Sequence, residues 1–502
     1  MKNALVIGLD GASPYPLFTY ARQGYLKNIQ QLMTTGAYGE LESTIPPATC
    51  PAWVTSVTGV NPGKHGISDF ILDVDLKKRK YIYANSNQRK SKAIWNIISE
   101  ESKKVIVINV PVTYPPEKVN GIMVSGLFTP TLKSKFTYPE HIRESLYDYN
   151  YKIDIGESII RRSKIRYDNI NKETSDLINL IEKRVMVCEN FMNNYSWDFF
   201  MVVFTALDRL QHFFWKYIDK NHIGYDNKKS RLYFPSIIKV YQKIDEAIGR
   251  LTRIKENSYG DGNIFIYSDH GFKPLNTYFF TNSFFRQNKL IEIKKRPLNY
   301  IVNQNYIVNK IPYNLMNLLQ KFPIRIRRKI TGYIQPTKNY IDIFNLPSST
   351  KALHFGNGYI KINLDNESQE YDNIRKQIMY FFNNVFQNGE SIKAYKKEEI
   401  YSGPFLNSIP DIILQTKSDI FPTQFIPVNG MQLMKYNEKS DIPSLRWSGQ
   451  HDMKGIIICN GPNFTINSSI KDANIIDITP TILNTLGISI QNYMEGKVIK
   501  VS

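Results

Sequence analysis

The sequence is short of cysteine. Only Cys50, Cys188 and Cys459 occur among 502 residues, and they lie far apart. That excludes a disulfide framework and a thiolate metal cluster. Long hydrophobic runs are missing too: the longest, "FFMVVFTAL" (199–207), is half the length of a membrane span. The opening "MKNALVIGLDG" enters a strand-like run without a signal-peptide apolar region or a cleavage-site pattern. There is no internal repeat and no low-complexity linker. The expectation is a cytoplasmic protein in a reducing compartment, with peripheral membrane association left open.

Acidic residues are outnumbered, 45 against 64 Lys/Arg, for a formal charge of +19. A surface of this sign favours anionic partners. The excess is local: residues 286–329 hold eleven Lys/Arg and one acidic residue, Glu292, so this stretch supplies 11 − 1 = +10 of the total. A chain that coats nucleic acid would spread its charge, so no specific nucleic-acid binding is expected. Within the basic stretch, residues 311–330 place Leu315, Leu318, Leu319 and Phe322 on one helical face ahead of four clustered cations. Such a segment reads as a packed helix with a solvated basic end, or as a lid that meets anionic substrate or an anionic membrane.

Six short runs are apolar throughout rather than alternating: 4–10, 104–110, 121–126, 197–204, 263–269 and 454–459. Helix-patterned stretches at 17–36, 175–194 and 236–254 separate them. Continuous apolar strands between helices predict an α/β fold with a mostly parallel central sheet covered on both faces. The rhythm breaks after residue 271; strand returns at 358–364 and helix at 366–386. The expected organisation is a catalytic core from 1–271 and 400–502, with a smaller inserted α+β cap at 272–399 that carries the basic segment 286–345.

Ligands of parallel α/β sheets bind at the carboxyl ends of strands. Asp10 ends the first run, Asp208 and His212 follow the fourth, Asp269 and His270 end the fifth, and His451 precedes the last. Each has an ordinary structural reading: a turn carboxylate in "GLDG", two residues on one helical face, a strand-to-loop turn with Gly271 at positive φ, a satisfied polar histidine. Together, three carboxylates and three imidazoles make a mixed nitrogen and oxygen donor set suited to zinc, with manganese or iron as alternatives. Two such ions about 4 Å apart would clamp the attacking and leaving oxygens of a displacement at phosphorus. In "PPATCPAW" (46–53), Pro51 favours the first helical position, which makes Thr49 or Cys50 the N-cap of a helix ended by Gly59. A hydroxyl there faces free N–H groups and the positive end of the helix dipole, and a metal ion would lower its pKa enough for nucleophilic attack.

In "VIGLDG", "PPATCPAWVTSVTGVNPGKHGI", "DRLQH", "YSDHGF" and "SGQHDMKGIIICNGP", in that order, the chain resembles the alkaline phosphatase superfamily, closest to its type I phosphodiesterase/nucleotide pyrophosphatase-like branch. The terminal "NIIDITPTILNTLGISIQNYMEGKVI" and the stretch "STKALHFGNGYIKINL" are similar to segments of that group as well. The resemblance implies that Asp208, His212 and His451 ligate one zinc ion, and that Asp10, Asp269 and His270 ligate the other with the oxygen of Thr49. It implies Thr49 as nucleophile, a covalent phospho-threonine intermediate, and Cys50 as a bystander. One position departs: members usually carry an asparagine shortly after "HGI" that contacts a phosphoryl oxygen, whereas this chain has Asp69 and Phe70. A carboxylate there would repel phosphate unless screened, and Lys64 is a candidate compensating charge.

The leading expectation is therefore a two-metal phosphohydrolase or phosphodiesterase acting on an anionic phosphorylated substrate. Phosphomutase, phosphotransferase or sulfate-ester chemistry on the same metals is the alternative, although Trp53 stands where the usual sulfatase pattern has arginine. A basic membrane- or nucleic-acid-binding protein with a vestigial catalytic fold is a third reading, motivated by the 286–329 cluster.

Overall fold

The computed structural model describes residues 3–154, 170–260, 262–293, 340–440 and 442–500. Nine strands form the main sheet: β1 (Ala4–Leu9), β2 (Ala37–Glu42), β3 (Val105–Ile108), β4 (Gly121–Val124), β5 (Thr137–Tyr138), β6 (Phe199–Phe204), β7 (Asn263–Tyr267), β8 (Lys454–Asn460) and β9 (Ser468–Asn474). Their order across the sheet is β9-β2-β8-β7-β1-β6-β3-β4-β5. Five neighbouring pairs are parallel; β8 runs antiparallel to both β2 and β7, and β5 runs antiparallel to β4.

The unbroken apolar character of these strands follows from a core on each face. Leu5, Ile7 and Leu9 of β1 join one cluster with Phe200, Val202 and Ile266, while Ala4 and Val6 join the opposite cluster with Met201, Val203 and Phe265. The first face is covered by helices including Ile170–Asn194, Ala206–Ile218 and Asn227–Tyr259, the second by Thr49–Thr58, Ile94–Glu100 and Ile478–Leu486. The helix expected over 17–36 is two, Pro14–Arg22 and Lys27–Thr35. Gly24, at φ 81°, turns the chain between them, a conformation side chains resist. Strands β2, β5 and β9 escape the sequence pattern because their burial is incomplete or their length short.

The described residues between 271 and 435 build smaller sheets around a separate hydrophobic cluster that also takes in Val74. A four-stranded antiparallel sheet runs Ala352–Phe355, Tyr359–Ile362, Ile412–Thr416, Ile392–Lys396. Because Ile412–Thr416 pairs inside this sheet and Leu433–Lys435 pairs with Thr277–Phe280, the chain returns to the main sheet after residue 435 rather than at residue 400. The expected basic helix at 311–330, and most of the 286–345 segment, lie outside the described residues. Among the described residues, no helix is long and apolar enough to cross a membrane.

Candidate active site

Strands β7, β1 and β6 are neighbours and parallel, so their carboxyl ends open at one edge. Asp10 follows the last residue of β1. Asp269 and His270 lie just beyond β7, and Asp208 sits in the first turn of the helix that follows β6. His212 is one turn further along that helix, on the same face. His451 arrives on the two-stranded antiparallel sheet of Gly271–Pro274 with Gly449–Asp452, in register with Phe272. The helix Thr49–Thr58, reached from β2, brings Thr49 to the same edge.

The six residues resolve into two groups, Asp208/His212/His451 and Asp10/Asp269/His270, each with ligand atoms within 4.8 Å of one another. In the first, Asp208 Oδ1 lies 3.3 Å from both His212 Nε2 and His451 Nε2. In the second, His270 Nε2 lies 3.2 Å from Asp269 Oδ2 and 3.9 Å from Asp10 Oδ1. The His270 and His451 rings stack at 3.6 Å, which sets the groups side by side. Thr49 Oγ1 is 3.4 Å from His270 Nε2, against the second group.

Three features fit these groups to divalent cations. Oxygens Asp10 Oδ1, Asp208 Oδ1 and Asp269 Oδ2 are buried without a hydrogen-bond donor, a state that costs stability unless a cation or proton meets them. Each imidazole turns Nδ1 to a backbone carbonyl, His212 to Gly449, His270 to Gly271 and His451 to Pro47, at 2.8–3.1 Å. Donation from Nδ1–H leaves every Nε2 lone pair facing inward, as metal-ligating histidines require. Finally, burial, reinforced by neighbouring carboxylates, raises the carboxyls of Asp10 and Asp269 well above their ordinary range, while burial lowers His212 and His270. Asp208 is the exception: burial would raise it, but His212 and Arg209 outweigh burial and hold it well below the usual range.

The supporting contacts explain local sequence choices. The Gly11 N–H donates to Asp269 Oδ1 at 3.0 Å, and a Cβ at Gly11 would fall 2.7 Å from the Phe272 ring. Trp53 Nε1 donates to Asp10 Oδ2 at 3.3 Å. Gly271 is strand rather than a positive-φ turn; a Cβ there would come within 1.9 Å of the Lys454 carbonyl. Ala48 is the N-cap and Thr49 the first helical residue, so Pro51 occupies the third position, not the first. That register leaves the Thr49 and Cys50 N–H groups free of helical bonds and Pro51 with none to satisfy. Cys50 is fully buried and its thiol is pushed up by burial.

Sequence reasoning missed Arg209, since "DR" is an unremarkable pair. Half-buried, it ion-pairs with Asp208 and with Asp154, the latter at 2.8 Å, and so fixes the Asp208 carboxylate. It also missed Trp447, whose ring stacks on His212 at 4.0 Å. Lys64 is held elsewhere: its ammonium pairs with Glu495 at 3.3 Å and donates to the Tyr493 carbonyl, and it makes no contact with either group. His65 is a turn element whose Nδ1 accepts from the Ile67 N–H. Asp69 is fully buried, and its carboxylate accepts from the N–H groups of Phe70 and Asn357 and from the Asn357 side chain.

A sequence profile of the family described as type I phosphodiesterase / nucleotide pyrophosphatase matches residues 4–426. The sequence has no match among curated proteins. Among solved structures, the fold is similar to that of murine ectonucleotide pyrophosphatase / phosphodiesterase 5, an inactive variant in complex with AMP. That match covers 100% of both chains at 12% identity and TM-score 0.53. Phosphonoacetate hydrolase from Sinorhizobium meliloti 1021, in complex with phosphonoformate, is similar over 97% of this chain and 96% of its own, at 12% identity and TM-score 0.56.

Proposed function

The chain belongs to the type I phosphodiesterase / nucleotide pyrophosphatase family of metal-dependent phosphoesterases, and from that premise we propose that it hydrolyses phosphate esters at the paired carboxylate–imidazole centre with Thr49 as nucleophile. The observation that supports this reading is the Thr49 hydroxyl, on the first residue of a helix, 3.4 Å from His270 Nε2 in one of two groups of side chains that could hold a metal ion. Asp208, His212 and His451 would hold one divalent cation, and Asp10, Asp269 and His270 the other, with the Thr49 oxygen on the second. Zinc suits this mixture of imidazole and carboxylate donors best, ahead of manganese or iron. Such cations would supply the charge that acidifies the threonine hydroxyl and offsets the phosphoryl and leaving oxygens.

The chain's own residues then divide the remaining work. Thr49 Oγ1 forms the new bond to phosphorus as the ester oxygen departs, giving a phospho-threonine and the free alcohol. Water cleaves that intermediate to release phosphate, or a phosphomonoester when the substrate is a diester, and restores the hydroxyl. The free N–H groups at the start of the helix donate to the phosphoryl oxygens. Burial of Thr49 and the rigid strand-end frame hold the hydroxyl in line without reorganisation. Nucleotides and other anionic phosphorylated compounds form the substrate class. The three free, buried cysteines suit a reducing, cytoplasmic compartment.

The test is Thr49→Ala in the zinc-loaded enzyme, assayed on an aryl phosphodiester and an aryl phosphomonoester with metal content measured in parallel. Turnover should fall at least about 1,000-fold with both metal equivalents retained. Full turnover in that variant overturns the mechanism. A matched aryl sulfate, expected to react far more slowly, separates sulfate-ester hydrolysis, and an added alcohol acceptor in place of water separates transferase chemistry.

A further inference from the structure

The carboxylate of Asp69, poorly suited to meet a phosphate itself, accepts from the neighbouring Phe70 N–H and, across the cleft, from one residue, Asn357. The hairpin of Ala352–Phe355 with Tyr359–Ile362 turns through Gly356, Asn357 and Gly358 and presents its tip to Asp69. The Asn357 backbone N–H donates to Asp69 Oδ2 at 2.7 Å, and its side-chain Nδ2 donates to Oδ1 at 3.0 Å. Gly356 and Gly358 take φ of 62° and 114°, and a Cβ at Gly356 would land 1.9 Å from Asp69 Oδ2. The neighbouring Tyr359 hydroxyl fixes the same junction by donating to the Ser68 carbonyl at 2.5 Å. Two chain regions 288 residues apart are thus locked together by a fully buried carboxylate.

This lock aims a carboxamide. Asn357 is half-buried and lines the cleft that also contains His212, His451, Pro46, Pro47 and Trp447. Asp69 uses one of the two side-chain N–H bonds, and the carboxamide makes no other hydrogen bond among the described residues. Pairing with a carboxylate determines which end of the carboxamide is nitrogen, because a carboxylate only accepts. The remaining N–H therefore belongs to a carboxamide of fixed orientation, on a residue that lines the same cleft as His212 and His451. No Lys or Arg side chain lines this cleft among the described residues, so a phosphoryl oxygen entering it finds a neutral donor here.

We propose that Asn357 is the substrate-contacting residue that donates to a non-bridging phosphoryl oxygen, and that Asp69 is the positioning residue that orients it. This rests on the phosphoesterase reading above. It accounts for the chain's departure after "HGI": Phe70 packs into an apolar cluster with Cys50, Val54 and Ile67, and the amide donor comes from the far side of the cleft. Substrate recognition then depends on the cap hairpin being seated, and a neutral donor of this kind serves diester and monoester alike.

The test uses the zinc-loaded full chain with Asn357→Ala, Asp69→Asn and the double variant. KM for an aryl phosphodiester and the inhibition constant of inorganic phosphate should rise together by about 10- to 100-fold in Asn357→Ala, with kcat changing less than about 3-fold, because the contact is made in both ground and transition states. Asp69→Asn should raise both about 10-fold alone, yet add nothing to Asn357→Ala, since it acts through that residue. Phosphate binding by calorimetry to a Thr49→Ala background repeats the measurement without turnover, so this result stands apart from the nucleophile assignment. Unfolding midpoints and metal content identify a variant that fails to fold; there, Asn357→Ser, which keeps the backbone donor and shortens the side chain, gives the same comparison. An Asn357 variant that folds and binds phosphate within about 2-fold of wild type overturns the proposal, as do additive losses in the double variant.

Discussion

The nine-stranded sheet and the smaller sheets of residues 271–435 build their parts of the cleft by different means. In the large sheet, three adjacent parallel strands deliver Asp10, Asp208 and the Asp269–His270 pair simply by ending at one edge. Their side chains are held by strand register and by helices packed on both faces. The smaller region has its own apolar core and reaches the centre through a turn, Gly356–Gly358, whose placement depends on Asp69. The first arrangement is over-determined and suits chemistry that tolerates no drift. The second hangs on a few contacts, and can be altered without disturbing the carboxylate–imidazole groups.

Breaking the contrast from its strong side gives the largest effect. Arg209→Met should lower kcat at least about 100-fold and destabilise the protein by about 3 kcal/mol, because the buried carboxylates of Asp154 and Asp208 lose a shared cation. Steady-state kinetics and urea unfolding measure both. Activity near wild type would show that the strand-end frame does not need this support.

Two buried histidines report on the two regions separately. Burial lowers His65, beside the helix Thr49–Thr58, to about 3, and His354, in the cap sheet, to about 4. Below about pH 6.5 the unfolded chain takes up protons at both positions while the folded chain does not, so stability falls as pH drops from about 6.5 towards 4. His65→Gln or His354→Gln should each remove about 2 kcal/mol of the loss between pH 7 and pH 5. Urea midpoints of metal-free protein at the two pH values check this. A cap that unfolds on its own would show the His354 effect in a separate, earlier transition.

Lys64→Ala should do least. Its ion pair with Glu495 is partly exposed, so stability should change by less than about 1 kcal/mol and kcat/KM by less than about 2-fold. A 10-fold rise in KM would instead return Lys64 to the substrate.

The same contrast explains what could be read from the sequence. Continuous apolar strands and the acidic or imidazole residues just past them are local patterns, so the sheet and its six convergent residues were visible in one dimension. Strand β2 was not, since Tyr38 and Gly39 are only half-buried and Glu40 and Glu42 are exposed. Pro51 pointed to the right helix but the wrong first residue, because Ala48, with no capping side chain, takes the N-cap. Arg209 and Asn357 were invisible for a stronger reason. Their significance lies in partners 55 and 288 residues away, which neither periodicity nor motif spacing encodes.

Both strand partners of β2 come from the last fifty residues of the chain: β8 on one side and β9 on the other. On the ribosome, the segment that leads to Thr49 therefore has no edge to join until residues 454–474 have emerged, and His451 arrives only just ahead of them. Thr49 is thus made early, while the edge that seats its segment is completed only by strands more than 400 residues further along.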